Sequence, residues 1–154
     1  MSNDLSTLET WAGALLAKLQ PAHRNAVNRK VAQDLRRSQA QRIAAQRDPD
    51  GAGYTPRKQR KDLRGKKGRI KRQRAAMFDK LRLQKHLKIK PDASQIAIGF
   101  FGRVARIARV HQYGLSDRVA DKGPQYQYPA RQLLGFSEAD RELIRDSLLR
   151  HITA

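Results

Sequence analysis

An α+β fold is predicted by three observations. Two amphipathic helical stretches stand at the N-terminus, two alternating apolar runs flank a Pro-Asp-Ala-Ser turn in the middle, and a helix opened by a capping box closes the chain. The expected architecture is an N-terminal helical pair, a small antiparallel sheet built around a hairpin, and a C-terminal helix. An extended basic arm lies between the helical pair and the sheet. At 154 residues the chain fits one domain, 1–154, with 48–74 as a basic loop or arm inserted into it. A chain of this length can bury roughly two thirds of its unfolded surface.

Each element follows from local pattern. Apolar residues at 5, 8, 11, 12, 15, 16 and 19 form the stripe of an amphipathic helix over 3–19, with Ser2, Asn3 and Asp4 as available caps. Pro21 suits the first turn of a second helix, 21–47, whose thinner stripe runs through Val27, Val31, Leu35 and Ile43. The stretch "DPDGAGYTP", 48–56, stops that helix, because two prolines, two glycines and two aspartates favour tight turns. Ile70, Met77, Phe78 and Leu81 then stand at helical spacing, which predicts a short helix over 69–80 with cationic outer faces.

Leu81, Leu83, Leu87 and Ile89 alternate, as do Ile96, Ile98 and Phe100, so the chain reads as a hairpin turning at 91–94. Helical spacing returns through Val104, Ile107, Ala108 and His111, and Gly114 suits the left-handed residue after a helix end. The stretch 115–135 reads as loop with one short strand at 126–128. Ser137 and Asp140 have capping-box spacing, and Leu143, Ile144, Leu148 and Ile152 give the last helix its apolar face.

Composition narrows the function classes. No stretch approaches the ~18 apolar residues of a membrane helix, and neither a secretory segment nor a repeat period is visible. Cysteine is absent, which removes disulfides, thiolate metal sites and cysteine nucleophiles together, and a soluble intracellular product is expected. The net charge of +19 makes the chain repel itself unless polyanions or acidic partners offset its field. That charge is concentrated: 57–74 holds 11 Lys/Arg against one Asp, namely Arg57, Lys58, Arg60, Lys61, Arg64, Lys66, Lys67, Arg69, Lys71, Arg72 and Arg74.

No catalytic pattern stands out. The histidines at 23, 86, 111 and 151 lack metal-ligand spacing, and His111 reads better as a satisfied half-buried side chain than as a catalyst. No G-x-S-x-G surrounds a serine, and the acids of the last helix alternate with Arg141 and Arg145 as on a solvated face. "DGAGYTP" lacks both a dinucleotide fingerprint and a P-loop lysine. Gly65 and Gly68 form a basic G-x-x-G like the backbone clamp of KH domains. Only Leu63 anchors the segment before it, and no aromatic platform interleaves the charges. Nonspecific phosphate contact through charge alone is the simpler expectation.

Three motifs taken in order carry a resemblance. They are Asp48-Pro49-Asp50-Gly51 followed by Tyr54 and Pro56, a helix ending in His111-Gln112-Tyr113-Gly114, and Pro129-Ala130-Arg131 with Leu134 and Gly135 before the last helix. Together, over roughly 5–152, the chain resembles the virion morphogenesis, or tail completion protein S, family of contractile-tailed temperate phages. The density of charge between Pro56 and Leu81 departs from the family pattern.

The resemblance implies a structural subunit, not an enzyme and without a cofactor. It would act in the tail neck of the virion, completing the head-proximal end of the tail and enabling head–tail joining, with the host cytoplasm as the place of assembly. Related proteins form rings, commonly hexameric. The implied partners are therefore further copies of the chain, the tail tube or terminator, and neck or connector proteins, with packaged DNA as a nonspecific contact and no membrane. Trp11, Leu15 and Leu16 are candidates for inter-subunit contact and equally for internal core. Tyr113, Tyr126, Tyr128 and Arg131 suit an interface because aromatics and arginine dominate contact energies, although turn packing explains them nearly as well. The alternative function is a nucleic-acid-binding protein, nonspecific or sequence-reading, using the same basic 57–74 segment.

Overall fold

The computed structural model describes residues 4–57 and 76–153. The elements run in the order α1 (Ser6–Leu16), α2 (Pro21–Ala44), β1 (Leu87–Pro91), β2 (Ile96–Phe100), α3 (Val104–Tyr113), β3 (Ser116–Arg118), β4 (Gln125–Gln127) and α4 (Glu138–Ile152). The predicted α+β class holds, with two separate two-stranded antiparallel sheets, β1–β2 and β3–β4.

Helix α2 is the spine. Its 24 residues span about 36 Å at the usual rise, long enough to serve two apolar clusters. At its start Val27 and Val31 meet Leu148 of α4, and Trp11, Leu16, Leu19, Ile96, Ile144 and Ile152 pack around them. At its end Ile43 joins Met77, Phe78, Leu81, Leu87, Phe100, Ala108 and Leu133. Pro21 occupies the first turn of α2 as expected. The helix closes at Ala44, three residues short of the predicted 47, because Gln46 turns left-handed (φ 60°).

The β1–β2 hairpin pairs Leu87 with Phe100 and Ile89 with Ile98. Its turn is held by the Asp92 carboxylate, which accepts the amides of Ser94 (2.7 Å) and Gln95 (2.8 Å). Asn28 of α2 donates its side-chain amide to the Asp92 carbonyl at 2.8 Å, fixing the hairpin to the spine. Helix α4 begins with the predicted capping box of Ser137 and Asp140.

Three expectations are corrected. The helix predicted over 69–80 lies mostly outside the described residues, and its described part, 76–80, is turn. Phe78 sits at φ 67°, a conformation that ends any helix and is costly for a bulky residue. The left-handed turn carries its ring into the core, edge-on to Tyr54 and His111. The first hairpin strand starts at Leu87, since 81–86 are turns in which Leu81 is buried and Leu83 is exposed. Strand β3 replaces a predicted loop: "SDR" has no apolar alternation, and its pairing with β4 is reinforced by side chains, with Ser116 donating to the Gln127 side chain at 2.5 Å and Gln127 donating to the Gly114 carbonyl.

Candidate functional site

The three sequence motifs converge at the C-terminal end of α2. Asp48 caps its own turn, accepting the amides of Asp50 (2.9 Å) and Ala52 (3.0 Å). That turn buries Pro49 against Gly135, where an added Cβ would lie 2.6 Å from the proline Cγ. Beyond the turn, Tyr54 donates its hydroxyl to the Gln132 carbonyl at 2.9 Å, although 78 positions separate them.

Helix α3 reaches the same place from the other side. The Gln112 side chain acts as a surrogate strand: its oxygen accepts the amides of Leu133 (2.8 Å) and Leu134 (2.9 Å), and its nitrogen donates to the Leu134 carbonyl (2.9 Å). The His111 carbonyl accepts the Arg131 amide at 2.7 Å. Gly114 ends the helix at φ 63°, with the Ala130 amide nitrogen 2.9 Å from where a Cβ would stand, so only glycine fits.

Arg131, predicted as a contact residue, is 4% exposed and fully engaged indoors. Its guanidinium donates to the carbonyls of Thr55 (2.7 Å) and Pro56 (3.1 Å) and stands 3.3 Å from Nδ1 of His111. Because arginine can only donate, Nδ1 is the acceptor and the imidazole proton resides on Nε2. Burial, reinforced by the positive charges of Arg131 and Arg57, pushes the His111 pKa from 6.5 down to about 4, so the ring is neutral at pH 7. Tyr54, Phe78, His111, Tyr128 and Tyr126 make successive edge-on contacts with centroids 4.8–5.6 Å apart.

A second polar network escaped the sequence reading. Gln39 donates to the Gly135 carbonyl (2.7 Å) and to buried Asp140 (3.3 Å), while Arg42 donates to Gln39 (2.5 Å) and to the Leu133 carbonyl (2.6 Å). Ser38 completes it with a 2.8 Å bond to Asp140. A signal existed: Val27, Val31, Leu35 and Ile43 leave position 39 as the polar member of an i+4 series, and a polar residue on a buried stripe needs a partner.

The other predicted contact residues are dispersed. Trp11 and Leu16 pack into the cluster around Val31, and Leu15 is half-buried. Tyr126 and Tyr128 are half-buried in the aromatic series. Tyr113 is 67% exposed and stands at an open groove of about 500 Å³, floored by Phe100, Ala105, Ala108 and Leu134 and edged by Arg109. Of the basic series, Arg57 is described, with Nε 3.4 Å from the Met77 sulfur. Lys58, Arg60, Lys61, Arg64, Lys66, Lys67, Arg69, Lys71, Arg72 and Arg74 lie outside the described residues.

Among the described residues no three metal-ligating side chains cluster, and no helix is long and apolar enough to cross a membrane. His151 is bound at 3.2 Å to Asp34, which also accepts from Ser147 at 2.7 Å. Burial opposes ionisation of Asp34, but these bonds and the charge of Arg37 outweigh it and hold the carboxyl below the usual range.

Comparison with known proteins agrees with the motif reading. The model of the phage virion morphogenesis family matches residues 3–153. Tail completion protein S of Escherichia phage P2 is 38% identical over 151 residues, covering 97% of this chain and 98% of that protein. No solved structure matches.

Proposed function

The chain belongs to the phage virion morphogenesis family, and on that premise we propose that it completes the head-proximal end of a contractile tail as a homo-oligomeric ring, enabling head–tail joining. The end-to-end similarity to a tail completion protein carries this reading. Hexameric closure and contact with tail tube, terminator or connector proteins belong to the same proposal, as does assembly in the host cytoplasm. The polar hub supports it physically. Motif residues that a catalyst would present to a substrate are here committed to backbone groups of distant segments, as expected of a rigid building block.

The basic residues from Arg57 to Arg74 are the proposed contact for a polyanion, either the DNA end or an acidic neighbouring ring. Tyr113, exposed at its groove, is the proposed subunit contact among the motif residues.

Deletion of the gene from its phage tests the reading. The expected lysate, viewed by negative-stain electron microscopy, contains filled heads and separate tails. Joined particles at undiminished titre would overturn it. Neutralising Arg57 to Arg74 is expected to lower the titre of joined particles with the fold intact, and unchanged titre removes the arm from the mechanism.

A further inference from the structure

Two helical stripes on different helices have the same two-turn length and opposite charge. On α3, which packs against β2, Arg106, Arg109 and Tyr113 stand at i, i+3 and i+7 and are all exposed. On α4, which packs against α2 and α1, Glu142, Asp146 and Leu149 stand at i, i+4 and i+7 and are exposed as well. Each stripe is two turns long, with two like charges toward its N-terminal end and one large apolar side chain at its C-terminal end, and exposed Arg145 stands beside the two acids of α4. Tyr113 is 67% exposed and Leu149 48%.

We propose that these stripes are the two halves of the contact between successive copies of this chain. Tyr113 and its groove receive Leu149 of the neighbouring copy, and Arg109 and Arg106 face Asp146 and Glu142 of that copy. The occupant of the groove is thus a second copy, selected by charge complementarity. Arg109 makes no ion pair with a described residue, nor do Glu142 and Asp146. Arg106 commits one guanidinium nitrogen to Asp117 at 2.5 Å and keeps its other donors. The floor of Phe100, Ala108 and Leu134 is apolar and accommodates a leucine.

Because donor and acceptor surfaces are different faces of one subunit, the contact is head-to-tail, the type that closes into rings when its rotation permits. An attractive pair on every subunit also counters the mutual repulsion of chains that each carry +19. The inference rests on the ring reading above and specifies its interface.

The test uses the full chain in sedimentation velocity. Arg109→Glu and Asp146→Arg are each expected to weaken self-association by about tenfold or more, and the Arg109→Glu/Asp146→Arg double variant is expected to recover it through the reversed pair. Since the chain has no native cysteine, a Tyr113→Cys/Leu149→Cys variant gives an independent measurement. Oxidation should yield a ladder of covalent oligomers, whereas either cysteine alone should stop at dimers. If wild-type protein assembles, both charge reversals assemble equally well and no ladder forms, this contact is wrong while the ring stands. If wild-type protein stays monomeric at every concentration and no ladder forms, the ring reading fails and the contact with it.

Discussion

The two ends of α2 differ in how far directional bonds to remote backbone hold them. At the N-terminal end, Val27 and Val31 meet Leu148, Trp11 and Leu16 in non-directional apolar contact, with the Asn28 bond to the Asp92 carbonyl and the Asp34 bonds to Ser147 and His151 beside it. At the C-terminal end, the apolar cluster around Ile43 is enclosed by Arg131, Gln112, Gln39, Arg42 and Tyr54, which bind the backbone of chain segments remote in sequence. Apolar packing tolerates many side chains of similar volume. A buried bond to a particular carbonyl tolerates few, because removing one partner leaves the other desolvated and unpaired. The motifs that identify the family are therefore concentrated where the fold is held by directional bonds.

The largest expected effect comes from breaking the hub at its centre. Arg131→Met removes the donors to Thr55 and Pro56 and leaves their carbonyls unpaired, at a cost of about 3 kcal/mol or more. It should appear as a lowered urea midpoint, and a loss under about 1 kcal/mol would show that the hub is not what holds 54–57 in place.

Gly135→Ala comes next. Its Cβ would meet Pro49 Cγ at 2.6 Å and the Gln132 side-chain nitrogen at 2.7 Å, an overpacking worth about 1–3 kcal/mol. A Pro49→Ala background should return part of that loss, which separates steric conflict from any other defect.

Acid should separate the two ends without mutation. The folded-state pKa of His111 lies below its unfolded value, so the unfolded chain binds the extra proton between about 6.5 and 4. The hub's contribution is complete above 6.5 and declines as pH falls to 4. Asp34, at the helical end, is depressed from 3.8, so its contribution is present above that value and declines only at lower pH. Urea midpoints at pH 7 and 4.5 should therefore differ in wild type and differ less in His111→Gln. An unchanged slope in the variant would assign the dependence elsewhere.

Leu148→Met probes the apolar end and should cost about 1 kcal/mol or less, since volume is conserved and methionine adapts its shape. Losses as large as that of Gly135→Ala would erase the contrast between the two ends.

Legibility divides along the same line. Helices α1, α2 and α4 were readable because an apolar stripe and a cap are local features, as Pro21 and the Ser137–Asp140 box illustrate. The β1–β2 hairpin was readable in outline, yet Leu81 and Leu83 continued its alternation into residues that form turns. The sequence leaves Arg131 open between an interface and turn packing, because no local pattern announces that carbonyls 75 and 76 positions away will accept its donors. Phe78 looked helical for the same reason: its left-handed turn is compensated by a ring site among Tyr54 and His111, far off in sequence.

The sequence by itself determined the α+β class, the positions of the long helices, the left-handed stop at Gly114, the family and the strong positive charge. Only the tertiary structure decided that the three motifs share one site, that Arg131 is interior, that β3 pairs with β4, and that Tyr113 is left outside. Periodicity and capping act over one or two turns of chain and are written in neighbouring residues. Bonds from side chains to distant backbone form only after the apolar clusters have brought those segments together, and so they leave no local trace.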